Sequence, residues 1–483
     1  MKVDTTIMNR RQFLATFGAA VVRLGGLTLP SCAFAANPAA KSKRPNFVFI
    51  FADDLGWGDL GCYGNRQIKT PNLDRLAKNG TLFTQFYVNG SVCSPSRTSI
   101  MTSHFPARHS VHGHFATHKQ NKARAMPNWL DPKVHTVTGL LKNAGYTTGH
   151  FGKWHLGSGD GSPTPGDYGI DEHCTRSSSG PQLEGTSDPY FRAKSTGQIV
   201  DKTIEFIEKN RDKPFYVNVW TLVPHATLHP TDEQMKPYQR YAARAVPYRG
   251  VKQIYYASIS DLDNQIGRLI KKIDELGLAH NTLIAFSSDN GPEDLDIRNA
   301  VHSGIGNTGP FRGRKRSIYE GGIRMPFIVR WPGHTPAGRV DGTTIIAGVD
   351  WLESVCSLAG AKVPRDLKPD GEDMSAALLG KPKQRSKPLM WEWRFRIFGD
   401  MVHKCPMLAI RDGKWKLLMN PDRSRIELYD IPKDPTELDN VAEKHPDVVK
   451  KLSQQLLKWQ ATLPPGPVDE VAGSNAYPWP KNK

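Results

Sequence analysis

Side chains that could bind a metal ion occur in two short polar segments, Asp53-Asp54 and Asp289-Asn290. Three carboxylates and an amide oxygen form an oxygen-only ligand set, which suits Ca²⁺ or Mg²⁺ better than Zn²⁺. Each segment directly follows an apolar run. The alternative is that these residues cap helices, because Asp and Asn are favoured at helix N-termini.

The apolar runs before these segments are predicted to be buried strands. They cover Asn46–Phe51 and Thr282–Ser288, and a third run, Phe215–Trp220, ends near His225. Continuous apolar runs of this length are typical of parallel strands buried on both faces. Helical spacing of apolar residues over 196–210 and 251–276 alternates with them. The alternation predicts an α/β fold with a large, mixed, mostly parallel sheet between helices, whose ligands bind at the carboxyl ends of the strands.

A third segment, Cys93-Ser94-Pro95-Ser96-Arg97, places a cysteine at the start of a predicted helix. A lone cysteine in such a turn is most often a small buried side chain. The run also resembles the Cys-x-Pro-x-Arg maturation motif of the formylglycine sulfatases, in which an enzyme oxidises the cysteine to an aldehyde. Five residues alone do not choose between these interpretations. Together with the two acidic strand ends, however, the motif favours a metal site over helix caps.

Further motifs extend this resemblance along nearly the whole chain after its N-terminal segment. The matching segments follow the family's order: Phe51–Gly56, Gly149–Gly157, Pro224-His225, Ser288–Gly291, Arg312–Lys315 and Tyr319–Pro326. The chain resembles a Cys-type, formylglycine-dependent sulfatase of the alkaline phosphatase superfamily, similar to bacterial polysaccharide sulfatases and N-acetylgalactosamine-6-sulfatase-like enzymes. The resemblance implies an alkaline phosphatase-like fold and hydrolysis of a sulfate ester.

The resemblance also implies a metal site and a nucleophile. Its metal ligands would be Asp53, Asp54, Asp289 and Asn290. The ion in this family is normally a single Ca²⁺, with Mg²⁺ as the less favoured alternative. Cys93, converted to formylglycine (3-oxoalanine), would be the nucleophile and a further contact of the metal. Arg97 would hold the hydrated aldehyde, near the positive end of the helix dipole.

Four more residues acquire catalytic roles from the same resemblance. Lys153 and Lys315 would bind the sulfate, although Arg312, Arg314 or Arg316 could replace Lys315. His225 would bind the substrate and protonate the leaving alcohol after the hydrated aldehyde attacks sulfur. His155 would then remove a proton from the second hydroxyl, so that the aldehyde forms again and sulfate leaves.

Other polar residues could set the substrate. We predict a substrate contact for His302, which lies between the metal-binding segment and Lys315 in the sequence. Asp171, Arg176 and Arg394 also lie in predicted loops that could face a sugar. Five histidines follow the Cys93 motif at irregular spacing, which favours a carbohydrate-lining or surface role over metal binding: His104, His109, His112, His114 and His118.

Residues 1–35 are predicted to be a signal peptide of the twin-arginine type. Asn9–Leu14 carries the two arginines, an apolar stretch follows to Leu29, and Ala33-Phe34-Ala35 offers a cleavage site. Export to the periplasm is expected. The alternatives are secretion and a lipoprotein anchored through Cys32. No other apolar run approaches the ~20 residues needed to span a bilayer.

The charge predicts a polyanionic partner. The chain has a formal net charge of +17, and removing residues 1–35, with four basic side chains and one acidic one, leaves about +14. Because the protein is expected to be exported, we predict a sulfated oligosaccharide or polysaccharide rather than nucleic acid. The resemblance implies one more partner, a formylglycine-generating or anaerobic sulfatase-maturating enzyme. The oligomeric state is not predicted, and a homo-oligomer is one alternative.

The six scattered cysteines fit neither a disulfide scaffold nor a zinc site.

The predicted catalytic domain covers residues 36–375, and residues 376–483 change character. Short antiparallel strands are predicted at Trp415–Leu418 and Glu427–Asp430, followed by an amphipathic helix at Pro446–Leu463. This part resembles the small α+β C-terminal subdomain of sulfatases. A wrapping or partner-binding role for the tail at Tyr477–Pro480 stays open.

The function predicted from the sequence is hydrolysis of sulfate esters in a sulfated carbohydrate, such as an algal galactan like carrageenan or a glycosaminoglycan. Two alternatives are retained. One is a phosphomonoester or phosphonate hydrolase of the same superfamily, and the other is a non-catalytic relative that binds sulfated glycans. The sequence does not choose the sugar, the sulfate position or the mode of cleavage.

Overall fold

The computed structural model describes residues 44–242, 250–297, 300 and 302–474. The predicted signal peptide, its Cys32 and the segment Tyr477–Pro480 lie outside the described residues. Among the described residues, no helix is both long enough and apolar enough to cross a membrane.

Thirteen strands are found in the described part of the chain, and they form two separate sheets. The larger sheet contains β1 (Asn46–Asp53), β2 (Thr81–Tyr87), β3 (Thr147–Lys153), β4 (Glu172–Arg176), β5 (Phe215–Pro224), β6 (Thr282–Ser288), β7 (Arg324–Arg330), β8 (Arg339–Asp341) and β9 (Ile346–Ala347). The smaller sheet contains β10 (Leu389–Glu392), β11 (Leu408–Asp412), β12 (Trp415–Met419) and β13 (Glu427–Asp430).

The larger sheet is mixed and mostly parallel. Its strand order is β4-β3-β5-β1-β6-β7-β2-β8, and β9 also pairs with β2. The five strands from β4 to β6 in this order are parallel, whereas β7 runs antiparallel to both β6 and β2. The carboxyl ends of β3, β5, β1 and β6 therefore meet at one edge of the sheet.

Eleven α-helices accompany the strands in the described residues. They are α1 (Pro71–Lys78), α2 (Cys93–Thr102), α3 (His118–Ala123), α4 (Val137–Asn143), α5 (Phe191–Asn210), α6 (Asp232–Met235), α7 (Val251–Glu275), α8 (Glu320–Ile323), α9 (Trp351–Ala359), α10 (Ser375–Leu378) and α11 (Pro446–Gln460). Helices α1, α5 and α7 pack together, and α2, α4 and α9 form a second group.

The central strand β1 is buried on both faces, as its continuous apolar sequence predicts. Successive side chains of a strand point to opposite faces. Phe49 accordingly stacks on Trp351 of α9 with ring centroids 4.5 Å apart, whereas Ile50 belongs to the other apolar core, which α5 and α7 cover. The predicted fold class, a mostly parallel sheet between helices, is confirmed.

The predicted antiparallel sheet near the C-terminus is also confirmed, with the order β10-β11-β12-β13. Strands β12 and β13 cover the two predicted segments, and α11 covers most of the predicted amphipathic helix. All described residues belong to one compact unit, so the domain boundary at residues 375–376 remains a prediction.

Buried charged side chains join the two sheets. We call them the inter-sheet cluster: Glu320, Arg324, Arg411, Lys416 and Glu437. Lys416 Nζ of β12 lies 2.9 Å from Glu320 Oε1 and 2.8 Å from Glu437 Oε1. Arg324 Nη1 lies 3.2 Å from Glu320 Oε2, to which the Tyr87 hydroxyl also donates. Every carboxylate of the cluster is thus paired within the protein.

Candidate active site

The carboxyl ends of four neighbouring strands bring the predicted site residues together. In the register of the sheet, Asp53 of β1 lies opposite Pro224 of β5, and Ala52 lies opposite Ser288 of β6. Asp53, Asp54, His225, Asp289 and Asn290 therefore follow adjacent strands at the same edge. Lys153 reaches this edge as the last residue of β3.

Four potential ligand atoms converge there. One carboxylate oxygen each from Asp53, Asp54 and Asp289 and the Sγ atom of Cys93 all lie within 4.8 Å of one another, and all four residues are buried. Asp54 adopts a left-handed conformation (φ 69°), which Asp tolerates better than most residues, and its N–H donates to Asp289 Oδ1 at 3.1 Å.

Asn290 completes this group. Its Nδ2 donates to Asp54 Oδ1 at 2.7 Å, while its Oδ1 is buried without a hydrogen-bond partner among the described residues. A buried polar atom without a partner costs free energy unless a ligand satisfies it. An oxygen-rich ligand set with one orphaned oxygen fits a hard divalent cation such as Ca²⁺ or Mg²⁺.

Cys93 is the first residue of α2, as the sequence predicts. Pro95 lies in the first turn, where its missing N–H is no loss because that turn has no helical acceptor. Cys93 Sγ lies 3.4 Å from Asp53 Oδ1 and 3.2 Å from Lys153 Nζ. Burial raises the pKa of the Cys93 thiol far more than Lys153 lowers it, so an unmodified Cys93 is a poor nucleophile.

Three buried cations face the three carboxylates. Arg97 donates from Nη2 to Asp289 Oδ2 at 2.7 Å and from Nη1 to the Lys153 carbonyl at 2.9 Å. Lys153 Nζ contacts both oxygens of Asp53 at 2.8 and 2.7 Å. Lys315 Nζ contacts Asp54 Oδ2 at 2.7 Å. Of the basic residues around position 315, Lys315 is therefore the one that contacts Asp54.

The carboxylates respond differently to this environment. Burial opposes ionisation of Asp53, but the charges of Lys153 and Arg97 help to outweigh it and hold the pKa of Asp53 well below its ordinary value. Burial raises the pKa of Asp54, and it raises the pKa of Asp289 to about 6 with the help of the Asp53 charge. Neighbouring carboxylates whose pKa values move apart are typical of functional sites.

Two histidines border the carboxylates and cations. His225 Nδ1 lies 2.7 Å from the Ala226 carbonyl, so Nδ1 carries the proton and Nε2 points toward the cluster, 3.8 Å from Asp54 Oδ2. His155 Nε2 lies 2.9 Å from the Phe115 carbonyl, which leaves its buried Nδ1 without a partner among the described residues. Burial and neighbouring lysines lower both pKa values well below the ordinary value, so both rings are neutral at neutral pH.

Comparison with known proteins assigns the family. A family model described as sulfatase matches residues 45–361, which is more than half of the chain. The chain belongs to the sulfatase family. It is therefore a sulfuric ester hydrolase. A second model, for the C-terminal part of N-sulphoglucosamine sulphohydrolase, matches residues 306–462 of this sulfatase.

Individual relatives agree with this assignment over most of the chain. An N-acetylgalactosamine-6-O-sulfatase of Bacteroides thetaiotaomicron is 29% identical over 509 residues, covering 86% of this chain and 93% of the relative. Arylsulfatase A of Homo sapiens is 30% identical over 500 residues, covering 90% and 92%. The crystal structure of Ps i-CgsB in complex with k-i-k-neocarrahexaose has a TM-score of 0.74 and 25% identity, covering 87% and 94%.

The residues that the sequence suggested for substrate contact lie in different places in this sulfatase. His302 hydrogen-bonds to the backbone of Leu228, and its neighbour Ser303 donates to the Pro224 carbonyl, next to His225. Arg176 ends β4 beside Lys153, at the carboxyl edge of the sheet. Asp171, in contrast, binds Thr148 at the opposite end of β3.

Arg394 is buried and does not line the site edge. Its Nε pairs with Glu392 at 2.7 Å, and its Nη2 donates to the Pro464 carbonyl. His112, one of the five clustered histidines, pairs with the same Glu392 at 3.2 Å and is buried too. Through Glu392, both residues therefore connect the segment that follows α2 with the C-terminal part.

Sequence reasoning missed Glu293 beside Lys315, and it named Arg316 only as a residue that could replace Lys315. Glu293 Oε2 lies 3.5 Å from Lys315 Nζ, and Arg316 binds Glu293 through both terminal nitrogens. Lys315 and Arg316 hold the pKa of Glu293 well below its ordinary value despite burial. The position of Glu293, three residues after Asn290, was the one available signal, but its partners come from a separate loop.

Proposed function

We propose that the sulfatase hydrolyses sulfate esters of a sulfated carbohydrate, with formylglycine at position 93 as the nucleophile and one Ca²⁺ as its metal. Mg²⁺ is the less favoured ion. The observation that carries the proposal is the convergence of Cys93 Sγ with oxygens of Asp53, Asp54 and Asp289 within 4.8 Å, in contact with Lys153. A merely structural cysteine needs neither the carboxylates nor the lysine.

Asp53, Asp54, Asp289 and Asn290 would hold the cation. When bound, the cation would polarise oxygens of the nucleophile and of the sulfate, and the hydrated aldehyde would supply the attacking hydroxyl. Arg97 would position the hydrated aldehyde at residue 93. It donates to the Asp289 carboxylate and to the Lys153 carbonyl, and so it holds both of these neighbours in place.

Lys153 and Lys315 would neutralise the sulfate. Lys153 reaches the carboxylates from the end of β3 and Lys315 from the turn before α8, and their side chains are only 8% and 5% exposed. Neighbouring carboxylates outweigh burial and raise the pKa of both lysines, so both stay charged. Positive charges fixed in a water-poor site stabilise a transition state without reorganisation at the moment of reaction.

The two histidines would move the protons. His225, with a side chain 33% exposed, borders the solvent side of the site, which suits a donor to the leaving alcohol. A sulfate anion nearby would raise the depressed pKa of His225 and promote its protonation. His155 presents an unprotonated Nδ1, because its Nε2–H donates to the Phe115 carbonyl, so it suits the base that completes the cycle.

The substrate class is supported by the relatives. One is named an N-acetylgalactosamine-6-O-sulfatase, and a related structure contains a neocarrahexaose. The basic chain, with its net charge of +17, suits a polyanionic glycan. We further propose export through residues 1–35, a catalytic domain at 36–375 and a C-terminal subdomain at 376–483.

The test is turnover by protein produced together with a maturation enzyme, after mass spectrometry has verified the conversion of Cys93. We expect hydrolysis of an aryl sulfate and desulfation of members of a panel of sulfated oligosaccharides. A faster rate on the matching aryl phosphate would replace the sulfatase mechanism with the phosphomonoesterase alternative. Converted protein that binds sulfated glycans but hydrolyses none would support the non-catalytic alternative.

A further inference from the structure

Two arginines beside the site lie over phenylalanines of one loop. The guanidinium carbon of Arg124 is 5.6 Å from the ring centroid of Phe395, and that of Arg316 is 5.3 Å from the ring centroid of Phe398. Both phenylalanines belong to the loop between β10 and β11. Stacking of this kind uses the face of a guanidinium and leaves its N–H edge available for an anion.

Arg124 has no acidic partner. Its Nη1 donates to the His114 carbonyl at 3.2 Å, and no carboxylate of the described residues forms an ion pair with it. Burial, and then the charge of Arg316, lower the pKa of Arg124, so the two like charges are close enough to repel each other. In contrast, Arg394, at the start of the same loop, is paired with Glu392 at 2.7 Å. An arginine with only a structural role is expected to have an acidic partner, as Arg394 does.

His114 lies between Arg124 and the proposed catalytic base His155. Its ring centroid lies 6.2 Å from that of His155. Burial, and then four cations, lower the pKa of His114 to about 3: Arg124, Lys315, Arg316 and Lys153. The corner formed by His114, Arg124 and Arg316 therefore holds two arginines beside a neutral histidine ring, and it adjoins His155.

We propose that this corner is a second anion-binding site, which recognises a further sulfate or carboxylate group on the sugar that presents the scissile sulfate. Arg124 supplies the free N–H edge and the unpaired positive charge, while the charge of Arg316 is shared with Glu293. The inference rests on the proposed function, since the ligand is a group of the same substrate. It narrows the substrate class to glycans with two anionic groups close together.

The test is a binding experiment with full-length protein carrying Cys93→Ala, which cannot turn substrate over. Two matched pairs of probes are used. Iota- and kappa-carrageenan oligosaccharides of equal length differ by one sulfate per repeat, and chondroitin sulfate oligosaccharides are compared with their carboxyl-reduced form. In at least one pair, we expect the additional anion to increase affinity about tenfold, as a hydrogen bond between charged groups does.

Arg124→Ala is expected to remove this increase, and Arg124→Lys to keep part of it, because a lysine retains the charge without the planar edge. Loss in the carrageenan pair identifies a sulfate ligand, and loss in the chondroitin pair identifies a carboxylate. Arg44→Ala is the matched control. Arg44 also lies over an aromatic ring, that of Tyr146 at 5.3 Å, and also donates to a carbonyl, but it is located at the opposite end of β1 from the site. It should leave the increase unchanged.

The proposal is overturned if neither pair shows a preference for the more anionic member, or if Arg124→Ala leaves that preference intact. Thermal melting of each variant shows whether it is folded, and Arg124→Lys provides a second variant if Arg124→Ala unfolds. Aryl sulfate hydrolysis by matured wild-type protein is measured separately. Failure there refutes the proposed function, whereas failure of the pair comparison with intact hydrolysis refutes only the second anion site.

Discussion

The molecule contains two buried charge clusters whose carboxylates all have cationic partners but which differ in the groups around these ion pairs. The nucleophile cluster, which we define as Asp53, Asp54, Cys93, Asp289 and Asn290 with Arg97, Lys153 and Lys315, closes the edge of the large sheet. The inter-sheet cluster is equally buried, but Lys416 lies within 2.9 Å of Glu320 and 2.8 Å of Glu437. Its carboxylates have cationic partners too, but the cluster contains no thiol and no amide.

Under the proposed function, this difference distinguishes the buried charges that serve catalysis from those that serve stability. The nucleophile cluster keeps an orphaned Asn290 oxygen, a thiol among carboxylates and a partly exposed histidine at its border. Buried polar groups are normally satisfied, so incomplete satisfaction indicates a place for a ligand. In the inter-sheet cluster the same residue types hold two sheets together. Acidic and basic residues alone therefore do not distinguish the two roles, whereas the thiol, the amide oxygen and the partly exposed histidine of the nucleophile cluster do.

The largest effect is expected for Cys93→Ser, which should lower turnover at least a thousandfold, to order of magnitude, because serine cannot become the aldehyde by this route. Stability should not change, since a hydroxyl can keep the contacts of Sγ to Asp53 and Lys153. The measurements are aryl sulfate kinetics and thermal melting. Cys356→Ser is the control. Cys356 is equally buried but lies in α9, so this variant should lose stability and keep turnover per folded molecule. Activity in Cys93→Ser would refute the mechanism.

The second largest effect is expected for Ca²⁺, which should bind at the nucleophile cluster and not at the inter-sheet cluster. Calcium at a concentration 100-fold above its Kd is expected to stabilise the protein by about 2.7 kcal/mol, because it binds the folded state only. Asp54→Asn should abolish this gain, and a chelator should lower wild-type activity. The measurement is the melting temperature with and without Ca²⁺. Asp171→Asn, at the opposite end of β3, should respond like the wild type. A calcium response that persists in Asp54→Asn would disprove the assigned ligand set.

The inter-sheet cluster should affect stability and not chemistry. Lys416→Met leaves Glu320 and Glu437 buried without their shared cation, which is expected to cost about 3–5 kcal/mol of unfolding free energy. Denaturant unfolding measures the loss, and kcat/KM per folded molecule should stay at the wild-type value. Lys414→Met is the control, because Lys414 is half exposed in its pair with Asp430. A selective loss of kcat/KM in Lys416→Met would remove the functional distinction between the clusters.

The smallest effect concerns Glu353, a half-buried carboxyl of α9 that belongs to neither cluster. Its Oε2 has no hydrogen-bond partner among the described residues, and burial raises its pKa from 4.5 to about 7. Between these values the folded state holds a proton that the unfolded chain releases, so stability falls as pH rises. After allowance for solvent screening, Glu353→Gln should remove about 1 kcal/mol of this fall.

Denaturant unfolding at pH 6 and pH 8 measures that slope. Glu443→Gln is the control, because Glu443 is exposed and should leave the slope unchanged. An unaltered slope in Glu353→Gln would mean that the Glu353 carboxyl is ionised normally.

The parts that the sequence predicted depend on local patterns. Apolar runs define β1, β5 and β6, and the sheet geometry then brings Asp53 and Asp289 to one edge. The placement of Asp171 shows the limit, because a residue next to β4 in sequence can lie at either end of the strand. The corner of Arg124 and Phe395 was not predictable, since these residues are 271 positions apart, by subtraction of their numbers, and meet only through tertiary packing. Glu293 and its pairing with Arg316 were missed for the same reason.

The burial of Cys93 has a consequence for how the protein is made. The residue is 2% exposed, and its sulfur is enclosed by side chains of β1 and β3. No enzyme can reach that atom after these strands and α2 have packed together. Under the proposed function, conversion must therefore occur on the unfolded or nascent chain, and a molecule that folds first stays inactive. The specific activity of a preparation then depends on the fraction of molecules in which modification of Cys93 preceded folding in the producing cell.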